Sequence, residues 1–231
     1  MCGRFVQVEK PEFYAEHFGV EFVRTETLVQ NYNVAPTQSV YAVAEHDGAR
    51  VLTSFRWGLV PFWAKDPRIG AKSINARSES AASKPMFRDS FERRRCLIPA
   101  DGFYEWERKA KGKLPHFIHS VDGTPLPLAG LWSSWRDPGS DERVLTCTIL
   151  TGRPNALVEP LHDRMPVIVP RESWSAWLDP ANRDVAALQG MLSSYPADRM
   201  AEHPVSTLVN SVANNTPELV APLDTPAVDA P

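Results

Sequence analysis

The sequence predicts an α+β protein, a single compact domain built on a curved or barrel-like, mainly antiparallel β-sheet with short helices at its flanks. Two observations carry this. Short apolar stretches of strand character are broken repeatedly by Pro or Gly, with only a few helical stretches between them. The chain also holds 21 prolines in 231 residues, which suits a loop-rich protein, because Pro cannot donate to a helix or a central sheet ladder. Residues 1–223 are expected to form the domain. The acidic, Pro-rich residues 224–231 are expected to be a flexible tail.

Each element has its own local reason. Residues 2–8 read as a short strand around Phe5. Pro11 to Phe18 reads as a helix, with Pro in its first turn and Gly19 at its end. Residues 40–44 and 50–57 flank Asp47-Gly48, the strongest short hairpin signal. Residues 76–83 and 85–94 read as helices. Strands are expected at 96–99, 103–108, 115–120, 127–132, 144–150 and 166–169, and helices at 173–178 and 185–193. No repeat or low-complexity linker interrupts the pattern.

Composition excludes several classes. With 43% apolar and 23% charged residues, this is an ordinary globular chain. No apolar run is long enough to span a membrane, and the N-terminus lacks a secretory pattern. Three well-separated cysteines, Cys2, Cys96 and Cys147, make neither a disulfide framework nor a zinc pattern, so a cytoplasmic setting is expected. No phosphate loop, dinucleotide fingerprint or metalloprotease motif occurs. His116 and His119 would point to opposite faces of a strand, a poor chelating pair. No metal and no cofactor are therefore expected.

The net charge of −3 conceals an asymmetry. Residues 50–113 carry 15 Lys or Arg against 7 Asp or Glu, whereas residues 114–231 carry 7 against 14. A basic stretch of this size is either a solvated face or a contact surface for a polyanion.

Cys2 follows the initiator directly. Removal of Met1 would leave an α-amine and a thiol on adjacent carbons, with reference pKa values of about 8 and 8.5, both usable nucleophiles near neutrality. A 1,2-aminothiol condenses with an aldehyde to an imine and then closes a five-membered thiazolidine ring. The alternative is that Cys2 is only the first residue of a strand. Arg4 would share its face and could hold a phosphate. The aromatic stretch Trp57 to Trp63 is either a core edge or a surface that stacks on bases. Asn75, at an expected helix start, is either an N-cap or, with Arg77, part of an anion site. Glu105 lies between Tyr104 and Trp106, where partial burial would raise its pKa toward acid/base use; an ion pair with Arg108 or Lys109 is the alternative. His162, in a polar turn before an apolar strand, could transfer protons or only bond locally.

The ordered set of segments resembles one family, the SOS-response-associated peptidase (SRAP) domain. The matching segments are Met1-Cys2-Gly3-Arg4-Phe5, Tyr32-Asn33-Val34-Ala35-Pro36, Trp57-Gly58 and Ile74-Asn75-Ala76-Arg77. They continue with residues 100–106, residues 129–132, His162-Asp163-Arg164-Met165-Pro166 and residues 203–206. The resemblance implies a β-rich α+β domain that binds single-stranded DNA and crosslinks to abasic sites through a thiazolidine at the N-terminal Cys. It implies Cys2 as nucleophile, Asn75 orienting the amine or opened sugar, Glu105 as acid/base and His162 assisting proton transfer. It places Arg4 and Arg77 on backbone phosphates, Asn33 along the channel, and Trp63 with Met86 stacking near the lesion. The implied partner is single-stranded DNA containing abasic sites, bound by a monomer at the nucleoid. Only Met1 precedes Cys2, so no propeptide is expected. A cysteine peptidase using Cys2 with His162 and Glu105 or Asn75 as a triad-like set, or a non-catalytic reader of modified DNA bases, are the alternatives.

Overall fold

The computed structural model describes residues 2–223; Met1 and the tail expected at 224–231 lie outside the described residues. The chain runs β1 (Phe5–Gln7), α1 (Pro11–Phe18), β2 (Phe22–Val23), β3 (Asn31–Val34), β4 (Ser39–His46), β5 (Ala49–Trp57) and β6 (Asn75–Arg77). It continues through α2 (Ser78–Ala81), α3 (Arg88–Arg93), β7 (Arg95–Ala100), β8 (Gly102–Arg108), β9 (Lys113–Ser120), β10 (Leu126–Arg136) and β11 (Arg143–Gly152). The last elements are β12 (Met165–Pro166), α4 (Trp174–Leu178), α5 (Val185–Gly190) and β13 (Met200–Pro204).

Five strands close into a barrel. β11, β10, β7, β4 and β5 are antiparallel neighbours in that order, and a short parallel seam rejoins β5 to β11, with Arg56 opposite Thr146 and Trp57 opposite Cys147. Closure removes the exposed edges an open sheet would leave. The second sheet, β13-β9-β8-β1-β3, is antiparallel throughout. It joins the barrel at Asp101, where β7 turns into β8 and the Asp101 N–H donates to Val6 O at 2.9 Å.

Two apolar cores follow from the period of two along each strand. Phe55, Trp57, Cys96, Ile98, Cys147 and Ile149 fill the barrel, where Phe5 meets Trp57 edge-on at 5.0 Å. Tyr41, Val43, Leu52, Leu97, Leu131 and Leu150 point outward and are covered by α1, α3 and α4 through Phe18, Phe91 and Trp177. Arg95 is 2% exposed and donates to the carbonyls of Phe91, Glu92, Trp177, Asp179 and Asn182. Arg95, counted in the basic stretch 50–113, is thus a core staple, whereas its neighbours Arg93 and Arg94 remain at the surface.

The helix Pro11–Phe18 forms as its sequence predicts, with Gly19 at φ 62° accepting the left-handed cap. The hairpin turn also forms at Asp47 and Gly48, both at positive φ. The stretch expected to be one helix from residue 76 divides instead into β6 and the one-turn α2. β11 recruits Asn75–Arg77 as a parallel partner, so Asn75 is a strand residue and not a helix N-cap. The helix expected at 85–94 is limited to Arg88–Arg93. No helix among the described residues is long and apolar enough to cross a membrane.

Gly58 ends β5 at φ 129°, and a Cβ there would lie 2.7 Å from the Gly70 carbonyl oxygen. Both strain and backbone collision oppose a side chain. Gly58→Ala is expected to destabilise the fold by roughly 2–4 kcal/mol, read as a lower urea midpoint with an unchanged slope.

Candidate active site

Residue 2 is held at the end of the barrel where β1 enters. Cys2 is 0% exposed and packs with Phe5, Val34 and Trp57. Asn75, fixed on β6 opposite Ile149, donates from Nδ2 to the Cys2 carbonyl at 2.8 Å, and its Oδ1 is buried with no partner among the described residues. Trp57 Nε1 donates to Ile74 O at 2.9 Å, securing the strand that carries Asn75.

Glu105 reaches the same place from β8. It is 2% exposed, and burial, outweighing the hydrogen bond from the Trp106 backbone that lowers it, pushes its carboxyl up to about 6. The Cys2 thiol is pushed well above its ordinary range, first by burial and then by the Glu105 charge. The thiol is therefore a neutral S–H near pH 7, and the carboxyl can switch between acid and base forms close to neutrality.

His162 lies in the turn before β12. Its Nδ1 accepts from the Arg164 N–H at 3.0 Å and is 2.8 Å from Asp163 Oδ1. These contacts favour opposite tautomers. The backbone donor is fixed while the Asp163 side chain is 88% exposed, so the proton belongs on Nε2. Burial lowers the His162 pKa, which keeps the ring neutral near pH 7. Arg164 anchors the turn with a bidentate pair to Glu79 at 2.6 and 2.8 Å and a bond to Thr151 O. Neither Arg164 nor Glu79 stands out as a site residue in the sequence, because a fork spanning 85 residues leaves no local pattern. Arg164→Ala is expected to free the turn that holds His162, seen as shifted and broadened His162 ring resonances, while Tm shifts by only a few degrees, checked by NMR alongside thermal melts.

The remaining residues fall into two groups. Arg4 is half-buried and donates from Nη1 to Asn33 Oδ1 at 2.6 Å and Val209 O at 2.9 Å. Asn33, 1% exposed, donates to the carbonyls of Val209, Ser211 and Asn214. In this arrangement Asn33 fixes Arg4 and the 209–214 loop. Arg77 is exposed at the end of β6, two residues beyond Asn75. Trp63 is 51% exposed beside Phe62 and borders a depression with Lys65, Arg68 and Lys72. Met86 is half-buried, with the Ser73 hydroxyl 3.9 Å from its sulfur, at the end of the Pro67–Lys72 turn that floors the same depression. The site residues thus divide into a buried cluster around Cys2 and an exposed basic and aromatic flank. His116 is elsewhere, bonded to Glu202 and Glu107.

Comparison with known proteins agrees over nearly the whole chain. The family described as SOS response associated peptidase (SRAP) matches residues 1–212. The abasic site processing protein YoqW of Bacillus subtilis (strain 168) is 43% identical over 222 residues, covering 95% of this chain and 99% of its own. The abasic site processing protein HMCES of Gallus gallus is 34% identical over 235 residues, covering 88% of this chain and 69% of its own. A solved structure from Bacteroides thetaiotaomicron shares the fold with a TM-score of 0.86 at 24% identity, covering 96% of this chain and 100% of that one. One from Bordetella bronchiseptica gives 0.76 at 26% identity, covering 89% and 100%. The chain belongs to the SOS response associated peptidase family.

Proposed function

We propose that the chain processes abasic sites in single-stranded DNA by trapping the sugar aldehyde on Cys2, after loss of Met1, as a thiazolidine. The observation that carries this is the convergence on residue 2 of Asn75, bonded to its carbonyl, and Glu105, whose charge is felt at its thiol. The names of the relatives, abasic site processing proteins, support the substrate.

The chemistry proceeds in three steps. Protonated Glu105 gives its proton to the ring oxygen of the closed abasic sugar, the C1′–O4′ bond breaks, and the C1′ hydroxyl proton returns to the carboxylate, leaving an aldehyde. The Cys2 α-amine adds to C1′, and the carbinolamine loses water to become an imine. Sγ then adds to the imine carbon while the S–H proton passes to nitrogen, closing the ring. One water is released overall. Asn75 orients the amine, and the His162 Nε2–H supports the opened sugar or its phosphate. Arg4 and Arg77 hold flanking phosphates, and Trp63 with Met86 stacks beside the lesion.

A cysteine peptidase requires a thiolate. Burial and the Glu105 charge both push the Cys2 thiol the wrong way for that role. Ring closure onto an imine makes no such demand, because the carbon attacked is already strongly electrophilic.

The test uses untagged protein and an oligonucleotide carrying one abasic site. The expected product survives a denaturing gel and weighs as DNA plus a peptide beginning at Cys2, less one water. An N-terminal tag should abolish it. Absence of the product from folded protein whose Met1 has been removed would refute the reading.

A further inference from the structure

A cavity opens at the end of the barrel opposite residue 2. The strands β4, β5, β10 and β11 splay there around a cavity of about 700 Å³, within the range of about 300–1,000 Å³ typical of small-molecule sites. Residue 2 and Trp57 belong to one end of the barrel core, whereas this cavity takes the ends of the strands at Ala44, Val51 and Leu145. It is therefore not a part of the Cys2 site.

Its lining has three parts. The floor is aromatic: Phe55 and Trp132 stack at 5.5 Å with their planes 21° apart, and Trp132 is only half-buried. The walls carry hydroxyls from Thr53 and Ser134 and the half-buried carboxyl of Glu45. The rim carries Arg24, Arg93, Arg94 and Arg143, with Asp47 and His46 on the hairpin tip. Arg94 lies over the Trp132 ring at 5.8 Å and pairs with Asp89. His46 pairs with Asp47. Arg24, Arg93 and Arg143 are exposed and make no ion pair among the described residues.

A flat apolar slot bordered by hydrogen-bonding groups, under a rim of unpaired guanidinium groups, has the chemistry of a nucleotide site. The aromatic floor takes a planar base. The Glu45 carboxylate can accept from base N–H groups, and the hydroxyls can give or accept at the base edge. The arginines take a phosphate. An aliphatic anion would leave the wall's polar groups facing a hydrocarbon chain, which costs free energy. We infer that the barrel mouth binds a nucleoside monophosphate, with the base against Phe55 and Trp132 and the phosphate at Arg93 and Arg143. The nucleotide can be free or can be the phosphorylated end of a DNA strand.

The experiment follows the Trp132 indole N–H resonance, assigned by its loss in Trp132→Phe. Deoxyguanosine monophosphate is expected to shift it saturably. Deoxyguanosine, lacking the phosphate, is expected to bind at least about tenfold more weakly, and Arg93→Glu with Arg143→Glu to weaken the monophosphate by a similar factor. Both positions are exposed, so the double variant tests the site without threatening the core. An undamaged oligonucleotide with a 5′-phosphate identifies the source. The same shift shows that strand ends bind, and a shift with the monophosphate alone shows that only the free nucleotide fits; both support the inference. No shift with either, a shift indifferent to the rim variants, or a shift given by decanoate and not by the nucleotide would overturn it. The Cys2 adduct is expected to form at the same rate in the rim variant, so failure here is separable from failure of the trapping chemistry.

Discussion

Cys2→Ala is expected to remove the durable DNA adduct altogether, a loss of at least ~1,000-fold or about 4 kcal/mol of transition-state stabilisation. The α-amine of residue 2 survives in this variant, so an imine can still form, but no sulfur remains to close on its carbon. Cys2→Ser keeps both the amine and a small polar side chain. Its adduct is expected to appear only after reduction with borohydride, which fixes an imine. A Ser variant that gives a stable adduct without reductant would sink the thiazolidine step. Cys2 is fully buried, so the Ala variant loses about 1 kcal/mol of packing; circular dichroism and a melt should show that the protein remains folded.

Glu105→Gln is the second large effect. General acid–base groups contribute about 10²–10⁴-fold, and the variant is expected to slow single-turnover adduct formation within that range. The pH profile gives the sharper signature. Glu105 titrates at about 6 and a free α-amine at about 8. Sugar opening needs the protonated acid and imine formation needs the neutral amine. The rate is expected to rise toward about pH 6, stay level to about 8 and fall beyond, and the alkaline fall should vanish in Glu105→Gln. Stability should move the other way. The folded pKa is raised from 4.5 to about 6, so stability is fully present below the unfolded value. It is lost, by about 2 kcal/mol, as pH rises through the folded one. Glu105→Gln should flatten that loss in urea titrations from pH 4 to 7. A slow variant with an unchanged pH–rate profile would assign the acid to another group.

The sequence made some features readable because their causes are local. Pro11 and Gly19 bound α1, and Asp47-Gly48 turns the β4–β5 hairpin. Glu105, flanked by aromatic residues, is buried with a raised pKa, as its neighbours suggested. What the sequence hid depends on pairing across the chain. Asn75 looks like a helix cap until β11 is seen to take it as a strand partner. Asn33, expected along the channel, is tied through its amide to three carbonyls of the 209–214 loop, partners that no local pattern announces. Arg95 looks like its two arginine neighbours, and only the turn ends of α3 and α4 explain its burial. The barrel's closure rests on two parallel residue pairs between β5 and β11, which no periodicity announces.

The bond from Arg4 to the Val209 carbonyl joins residues 205 apart. On the ribosome, which extends a chain by about 5–20 residues per second, many seconds separate the emergence of Cys2 from that of Val209. During that interval the first residues cannot be sealed, because β8 and the 209–214 loop that enclose them have yet to appear. The removal of Met1 that the proposed trapping requires would therefore have its opportunity on the nascent chain, before folding closes over residue 2. A purified chain that still carries Met1 is expected to form no thiazolidine adduct, because its free α-amine and the Cys2 thiol then sit on different residues, checked by comparing adduct yield with and without aminopeptidase treatment of the denatured chain before refolding.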